Sequence, residues 1–460
     1  MSLRALLFAG ALFVAMPVQA QNTQDQPGAT DVPPASSTDS NDQASLRSVV
    51  TDVLGSVLTG PSWNLGISLF GGYNQTNVSS SSSVSGTLAS LVRSGATAGG
   101  STQFSTFTAL RRVSLGIGAG SSTNYFRSTG RFLTSYNASA SQSITLGRRT
   151  TLSAGETFSY TPFYALNQFL GLQNFAGTQL TMPVQGTFDS AIGDMRQYRY
   201  TAQAQMSHPF TDRTSVALTY AADLTGLDDP KPIRHYQQGG FRFTHMIGQG
   251  IGYHMGYGYG QATFIGIADP TVFHNIDVGL NLNKALSISR RTTFSFSTGT
   301  ALNRNASEDR VGQGGTPIPG QSRTYFNVIG QASLTHNIGR SWNARVNYGR
   351  TWQMIDGSYV PFLGNTVTAG ISGRLGAGAT LGTSAAYLLG GRQVTGVAGQ
   401  RQALSTNTFL NFRLKRSLSG FVQYGFYRQQ FDLSQTGLNL PRSFSRHSLR
   451  TGLTLSVRSR

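Results

Sequence analysis

"SITLGRRTTLSAG", Ser143–Gly155, decides the fold. On either side of a Gly-Arg-Arg-Thr knot, apolar residues alternate with small polar ones. A side-chain period of two marks a β-strand, whose successive Cβ atoms point to opposite faces of a sheet. The stretch reads as two strands joined by a tight, basic reversal. Similar knots recur at 208–218 ("HPFTDRTSVAL"), 287–297 ("SISRRTTFSFS"), 336–346 ("HNIGRSWNARV") and 413–421 ("RLKRSLSGF").

The same alternation runs outward from these knots along most of the chain. Trp63, Leu65, Ile67, Leu69 and Tyr73 alternate with Asn64, Gly66, Ser68 and Asn74. Tyr198, Tyr200, Ala202, Ala204 and Met206 alternate with Arg199, Thr201, Gln203 and Gln205. The decisive feature is the second face. A soluble sandwich turns charged side chains to water and packs its apolar ones inside. Here the second face carries Gly, Ser, Thr and Asn, and the apolar face carries Tyr, Trp and Phe near its ends. Charged residues make up only 12% of the 460 residues, and 55 are glycine. Such a chain suits a sheet with one side against lipid and an uncharged polar side against water. Strands of ten or more residues fit a tilted crossing of the apolar band.

Segment counting predicts an all-β, antiparallel, up-and-down transmembrane β-barrel of about 18 strands (16–18) over 63–460. Strands are expected to begin near 63, 100, 113, 132, 150, 196, 213, 235, 252, 273, 292, 322, 342, 363, 379, 403, 419 and 444. Short reversals alternate with longer loops at 75–99, 163–195, 225–234, 303–321 and 391–402. In bacterial barrels the short turns face the periplasm, so an even strand count puts both termini there. Arg148, Arg149, Arg213, Arg290, Arg291, Arg340, Lys415 and Arg416 would then lie at inner-leaflet head groups, where phosphate is available.

The N-terminus names the compartment. Residues 1–20 combine Arg4, an apolar run from Ala5 to Val14 and a Val18-Gln19-Ala20 cleavage site, the pattern of a secretory signal peptide. Residues 21–62 read as a polar periplasmic linker, with a short amphipathic helix expected at 45–58 from Leu46, Val49, Val50, Val53, Leu54, Val57 and Leu58. The chain has no cysteine, which excludes disulfides and thiolate metal sites.

These features together resemble bacterial outer-membrane β-barrels of the porin type. The likeness covers about residues 63–458, including the C-terminal strand "SLRTGLTLSVRSR". Porin-type barrels commonly end in an aromatic residue, whereas this chain ends Val457-Arg458-Ser459-Arg460. The strand number is also similar to that of exopolysaccharide-secretion porins. The resemblance implies a non-enzymatic channel in the outer membrane. Its partners would be membrane lipids, lipopolysaccharide, the barrel-assembly machinery and, for an export pore, polysaccharide-export components.

Net charge is +18, and parity distributes it. Arg199, Arg242, Arg345, Arg374, Arg413 and Arg450 should point into the lumen, with Asp223 and Asp277 as inward acids. That excess favours anionic solutes or an acidic polymer; the same arginines could instead pair with carboxylates and stiffen the wall. Loop 163–195 is unusually apolar and is expected to fold inward as a constriction, with Phe169, Phe175, Asp189 and Asp194 at the narrowing; a cap over neighbouring loops is the alternative. Gly256, Gly258 and Gly260 leave one wall bare, either to admit a loop or the 45–58 helix or to relieve curvature. Three functions are open: a channel for anionic solutes, an exopolysaccharide export pore, or a structural or adhesive barrel with an occluded lumen. No nucleic-acid role fits this compartment. His208, His245 and His336 fall on the outward face beside short turns, and no nucleophile elbow, metal motif or cofactor fingerprint accompanies them. Glu156, Lys284 and Arg350 break the apolar parity; the first two are expected near turns, and Arg350 at a bulge or an oligomer contact.

Overall fold

The computed structural model describes residues 62–78, 94–110, 112–165, 191–193, 196–227, 234–264, 271–286, 289–305, 310–311, 317–318, 323–353, 362–390, 401–430 and 443–459. The expected signal peptide, linker and 45–58 helix fall at positions outside these residues.

The elements in chain order are β1 (Ser62–Val78), β2 (Gly95–Leu110), β3 (Val113–Phe126), β4 (Arg131–Leu146), β5 (Thr150–Thr161), β6 (Tyr164–Ala165), β7 (Ala191–Gly193), β8 (Gln197–Pro209), β9 (Thr214–Leu227), β10 (Arg234–Gly248) and β11 (Ile251–Phe264). They continue with β12 (Thr271–Leu286), β13 (Ser289–Asn305), β14 (Arg310–Val311), β15 (Pro317–Ile318), β16 (Arg323–Ile338), β17 (Trp342–Gln353), β18 (Phe362–Leu375), β19 (Ala379–Gly390), β20 (Arg401–Arg413), β21 (Leu418–Gln430) and β22 (Ser443–Arg458). The short β6–β7 and β14–β15 pairs stand apart; the rest form one 18-stranded sheet. Each strand pairs antiparallel with its sequence neighbour, and β22 returns to β1, from Asn64↔Arg458 to Val78↔Phe444. The sheet is closed, so no edge is left unpaired.

The expected strand starts agree with the observed ones to within five residues; the largest difference is at β2, expected near 100 and observed at Gly95. Four of the five basic knots form reversals between adjacent strands; in the knot at 287–297, Arg290 and Arg291 instead lie within β13. The eight connections on one side of the barrel are only two to four residues long, as at 147–149, 210–213, 339–341 and 414–417. Gly147 takes φ 67°, a left-handed conformation that lets the chain reverse before Arg148-Arg149.

The wall has the two faces that the alternation implies. Outside, Leu69 is 68% exposed, Leu110 66%, Phe132 70% and Phe326 66%. Burying such a side chain is worth about 1.5–3 kcal/mol, so a wall of exposed ones is stable only against lipid. Inside lie Ser, Thr, Asn, Gln and Gly. The C-terminal end closes the seam through polar atoms: Trp63 N–H donates to Ser459 Oγ at 2.9 Å, and Ser459 N–H donates to Trp63 C=O at 3.0 Å.

Two parity exceptions sit differently from expectation. Glu156 is not beside a turn; it lies mid-strand on the outer face of β5, opposite Ala140 and Ala202, hydrogen-bonded to the Tyr200 side chain. Its Oε1 is buried without a hydrogen-bond partner, so the Tyr200 hydroxyl meets the carboxyl only in part. With β18 the register runs unbroken through Arg350, opposite Asn365, while the ladder with β16 ends at its pair with Gly330. The side chain of Lys284 is outside the described set.

The glycine wall of β11 reflects close backbone approach. A Cβ at Gly256 would stand 2.5 Å from the carbonyl oxygen of Phe241, a backbone atom that cannot swing away. Replacing Gly256 by Val is therefore expected to reduce the yield of folded barrel, read as the heat-sensitive fast-migrating band on a gel. A yield equal to wild type would show that β10 and β11 can part without cost.

Candidate pore lining

The inner face of the wall is cationic at several levels. Nearest the short turns, Arg345 lies three residues into β17, Arg374 one residue before the end of β18, and Arg413 at the last position of β20. Arg345 Nε donates to Thr335 Oγ1 at 3.0 Å, which fixes the guanidinium against β16. Arg374 is half-buried, and Arg413 is exposed. Arg291, grouped with a turn by its sequence, falls on the inward parity of β13 at the same level.

Deeper in the lumen stand Arg242 on β10 and Arg450 on β22. The Arg450 guanidinium lies 5.4 Å over the Phe70 ring on β1, and Arg446, two inward positions earlier along β22, lies 5.1 Å over Phe444. Aromatic faces attract cations, so both side chains are held along the wall. Arg446 Nε also donates to Thr76 Oγ1 at 3.0 Å.

In the half nearer the long loops, Asp223 on β9 is clamped between two cations. Arg199 Nε on β8 donates to Asp223 Oδ2 at 2.6 Å, and Arg234 Nη2 on β10 donates to Oδ1 at 2.6 Å. Thr225 Oγ1 donates to the same Oδ1 at 3.1 Å. The carboxylate is 8% exposed and Arg234 7%. The clamp ties three strands together and leaves one net positive charge.

The structure thus places Arg199, Arg242, Arg345, Arg374, Arg413, Arg450 and Asp223 on the inner face, and brings Arg199 together with Asp223. Asp277 falls on the inward parity of β12 opposite Gly256, but its side chain is not among those described. The constriction residues Phe169, Phe175, Asp189 and Asp194 also lie outside the described residues. Arg234 and Arg446 were not singled out from sequence, although both obey the inward parity; they sit at strand ends beside long loops, where strand limits are poorly marked. Asp223 is the single inner-face carboxylate among the described side chains. Among the described residues, no three His, Asp or Glu side chains stand close enough to hold a metal ion.

Burial varies around the inner face. Toward the short turns, Asn64, Ser68, Arg345 and Arg374 are partly exposed, while Ser207, Met246, His254 and Asn281 are buried. Toward the long-loop rim, Leu388, Phe444, Gln429 and Thr366 are each 0% exposed.

A closed antiparallel barrel with an apolar belt outside and a polar wall inside has the architecture of an outer-membrane β-barrel. No protein-family model and no curated protein matches the chain. Among solved structures, Pseudomonas aeruginosa OccK11 (OpdR) is similar with a TM-score of 0.42 and 12% identity, over 87% of this chain and 96% of that one. Acinetobacter baumannii OccAB4 gives 0.41 and 9% identity, over 87% and 99%. Pseudomonas aeruginosa OccK2 (OpdF) gives 0.43 and 10%, over 86% and 98%. The likeness is loose; strand count, register and lumen chemistry rest on this chain's own geometry.

Proposed function

We propose that the barrel is a porin-like channel for polar, anionic solutes, with its short turns and both termini in the periplasm. One observation carries this reading: arginines line the inner face at every level, and Asp223, the described acid among them, is already bound by two. Fixed positive charge along a water-filled lumen raises the local concentration of anions and excludes cations. At the short-turn mouth Arg345 and Arg374 are partly exposed and Arg413 is exposed, so a solute can reach them. The buried Asp223 clamp acts on the wall rather than on the solute.

In proteoliposome swelling, an organic anion is expected to enter faster than a neutral sugar of similar size. Equal rates would remove charge from the selection, and no swelling with either would end the channel reading. A second reading, a barrel with an occluded lumen, draws on the fully buried inner-face Leu388 and Phe444 and predicts the last result.

A further inference from the structure

We propose that the short-turn rim binds the phosphates of inner-leaflet phospholipids at three repeated stations. The observation is a constellation that occurs three times on the outer face. At each station a Thr follows an Arg at a strand start and meets a His at the end of the adjoining strand. Thr150 Oγ1 lies 2.8 Å from His208 Nδ1, Thr214 Oγ1 2.9 Å from His245 Nδ1, and Thr292 Oγ1 2.7 Å from His336 Nδ1. The preceding cations Arg149 and Arg213 stand in the turns of the first two stations, whereas Arg291 of the third falls on the inward face of β13, so that station offers its imidazole without an outward arginine beside it. The outward histidines nearer the opposite rim differ: His274 and His447 pair with the hydroxyls of Tyr257 and Tyr424.

The chemistry of a station suits a phosphodiester set among acyl chains. With Nδ1 engaged by the threonine, Nε2 is the ring atom left to meet a ligand. All three imidazoles are partly exposed. Beside them is an apolar skirt: Phe210, 53% exposed, stands edge-on to His208 at 4.8 Å, and Ile247 is 61% exposed. Arg149 Nη1 donates to the Phe210 carbonyl at 2.6 Å, which holds this cation at the β5–β8 junction with further N–H groups to offer. Asp212, in the 210–213 turn, is the described acid at this rim. Phosphate would sit among Arg and imidazole while the tails lie on the skirt; a free anion would gain nothing from the apolar part. The lipid source rests on the periplasmic placement of the short turns.

The test is native mass spectrometry of the full-length protein titrated with phosphatidylglycerol. Wild type is expected to retain up to three lipids. The His208→Gln, His245→Gln, His336→Gln variant should bind measurably more weakly, and, separately, Arg149→Gln with Arg213→Gln about fivefold more weakly for each lost cation. A His274→Gln, His447→Gln control should bind as wild type. Retention unchanged in both rim variants, each shown folded by heat-sensitive mobility, would overturn the proposal, as would an equal loss in the control. Displacement of the lipid by millimolar inorganic phosphate would assign the stations to a free anion and also overturn it. Because the chain has no cysteine, a single Cys placed at Ser341 reports the side independently. Labelling of that Cys in intact cells by an impermeant maleimide would overturn the inner-leaflet source while leaving lipid retention as measured.

Discussion

Replacing Asp223 by Ala is expected to destabilise the folded barrel by about 3 kcal/mol, the cost of stripping a buried ion cluster of one partner. Two guanidiniums, from Arg199 and Arg234, converge on this carboxylate from strands on either side. Without it they face each other across β9 with no counter-charge and little water. A double-mutant cycle separates this from simple loss of contact. In the Asp223→Ala background, Arg199→Ala should cost far less than it does alone, since its partner is already gone. The measurement is equilibrium unfolding in urea from lipid vesicles, with midpoint and slope both followed. A loss below about 0.5 kcal/mol would show that lumen water already screens the pair, as at exposed sites.

Replacing Arg345 and Arg374 together by Ala is expected to lower the anion-to-cation permeability ratio about fivefold. A unit charge about 8 Å from a permeating ion contributes about 0.5 kcal/mol in water, roughly halved by screening at 0.1 M, and acts with opposite sign on anion and cation, so two such charges shift the ratio by about 1 kcal/mol. Arg374 should carry much of the effect, because no side-chain hydrogen bond or ion pair engages its guanidinium among the described residues. The difference should fade at 1 M salt, where the screening length shrinks to about 3 Å. An unchanged ratio at 0.1 M would place the selective charges elsewhere on the wall. Wild-type ratios for Arg199→Ala would fit its role in the clamp.

The sequence makes the wall legible because a barrel strand has a simple rule: every second residue meets lipid. That rule assigned Trp63, Ile67 and Leu69 outside and Arg345, Arg374 and Arg450 inside, and the turns announced themselves through Gly147 and its basic followers. What the rule lacks is register between strands. Arg199 lies opposite Thr225, and Asp223 opposite Thr201; their contact is diagonal, to the next inward position of the neighbouring strand. Period-two reading gives both residues the same face and says nothing of that diagonal. The same gap hid the Thr–His pairs, since Thr150 and His208 are 58 residues apart. Glu156 misled for another reason: its place relative to the turn looked peripheral, while the Tyr200 hydroxyl that accommodates it comes from a strand beyond a 35-residue connection.

The most direct test is the reversal potential of single channels in a planar bilayer under a tenfold salt gradient. A basic-lined open lumen predicts stepwise conductance with a reversal potential of anion-favouring sign. A cation-favouring sign, or a silent bilayer from protein verified as folded, would contradict it.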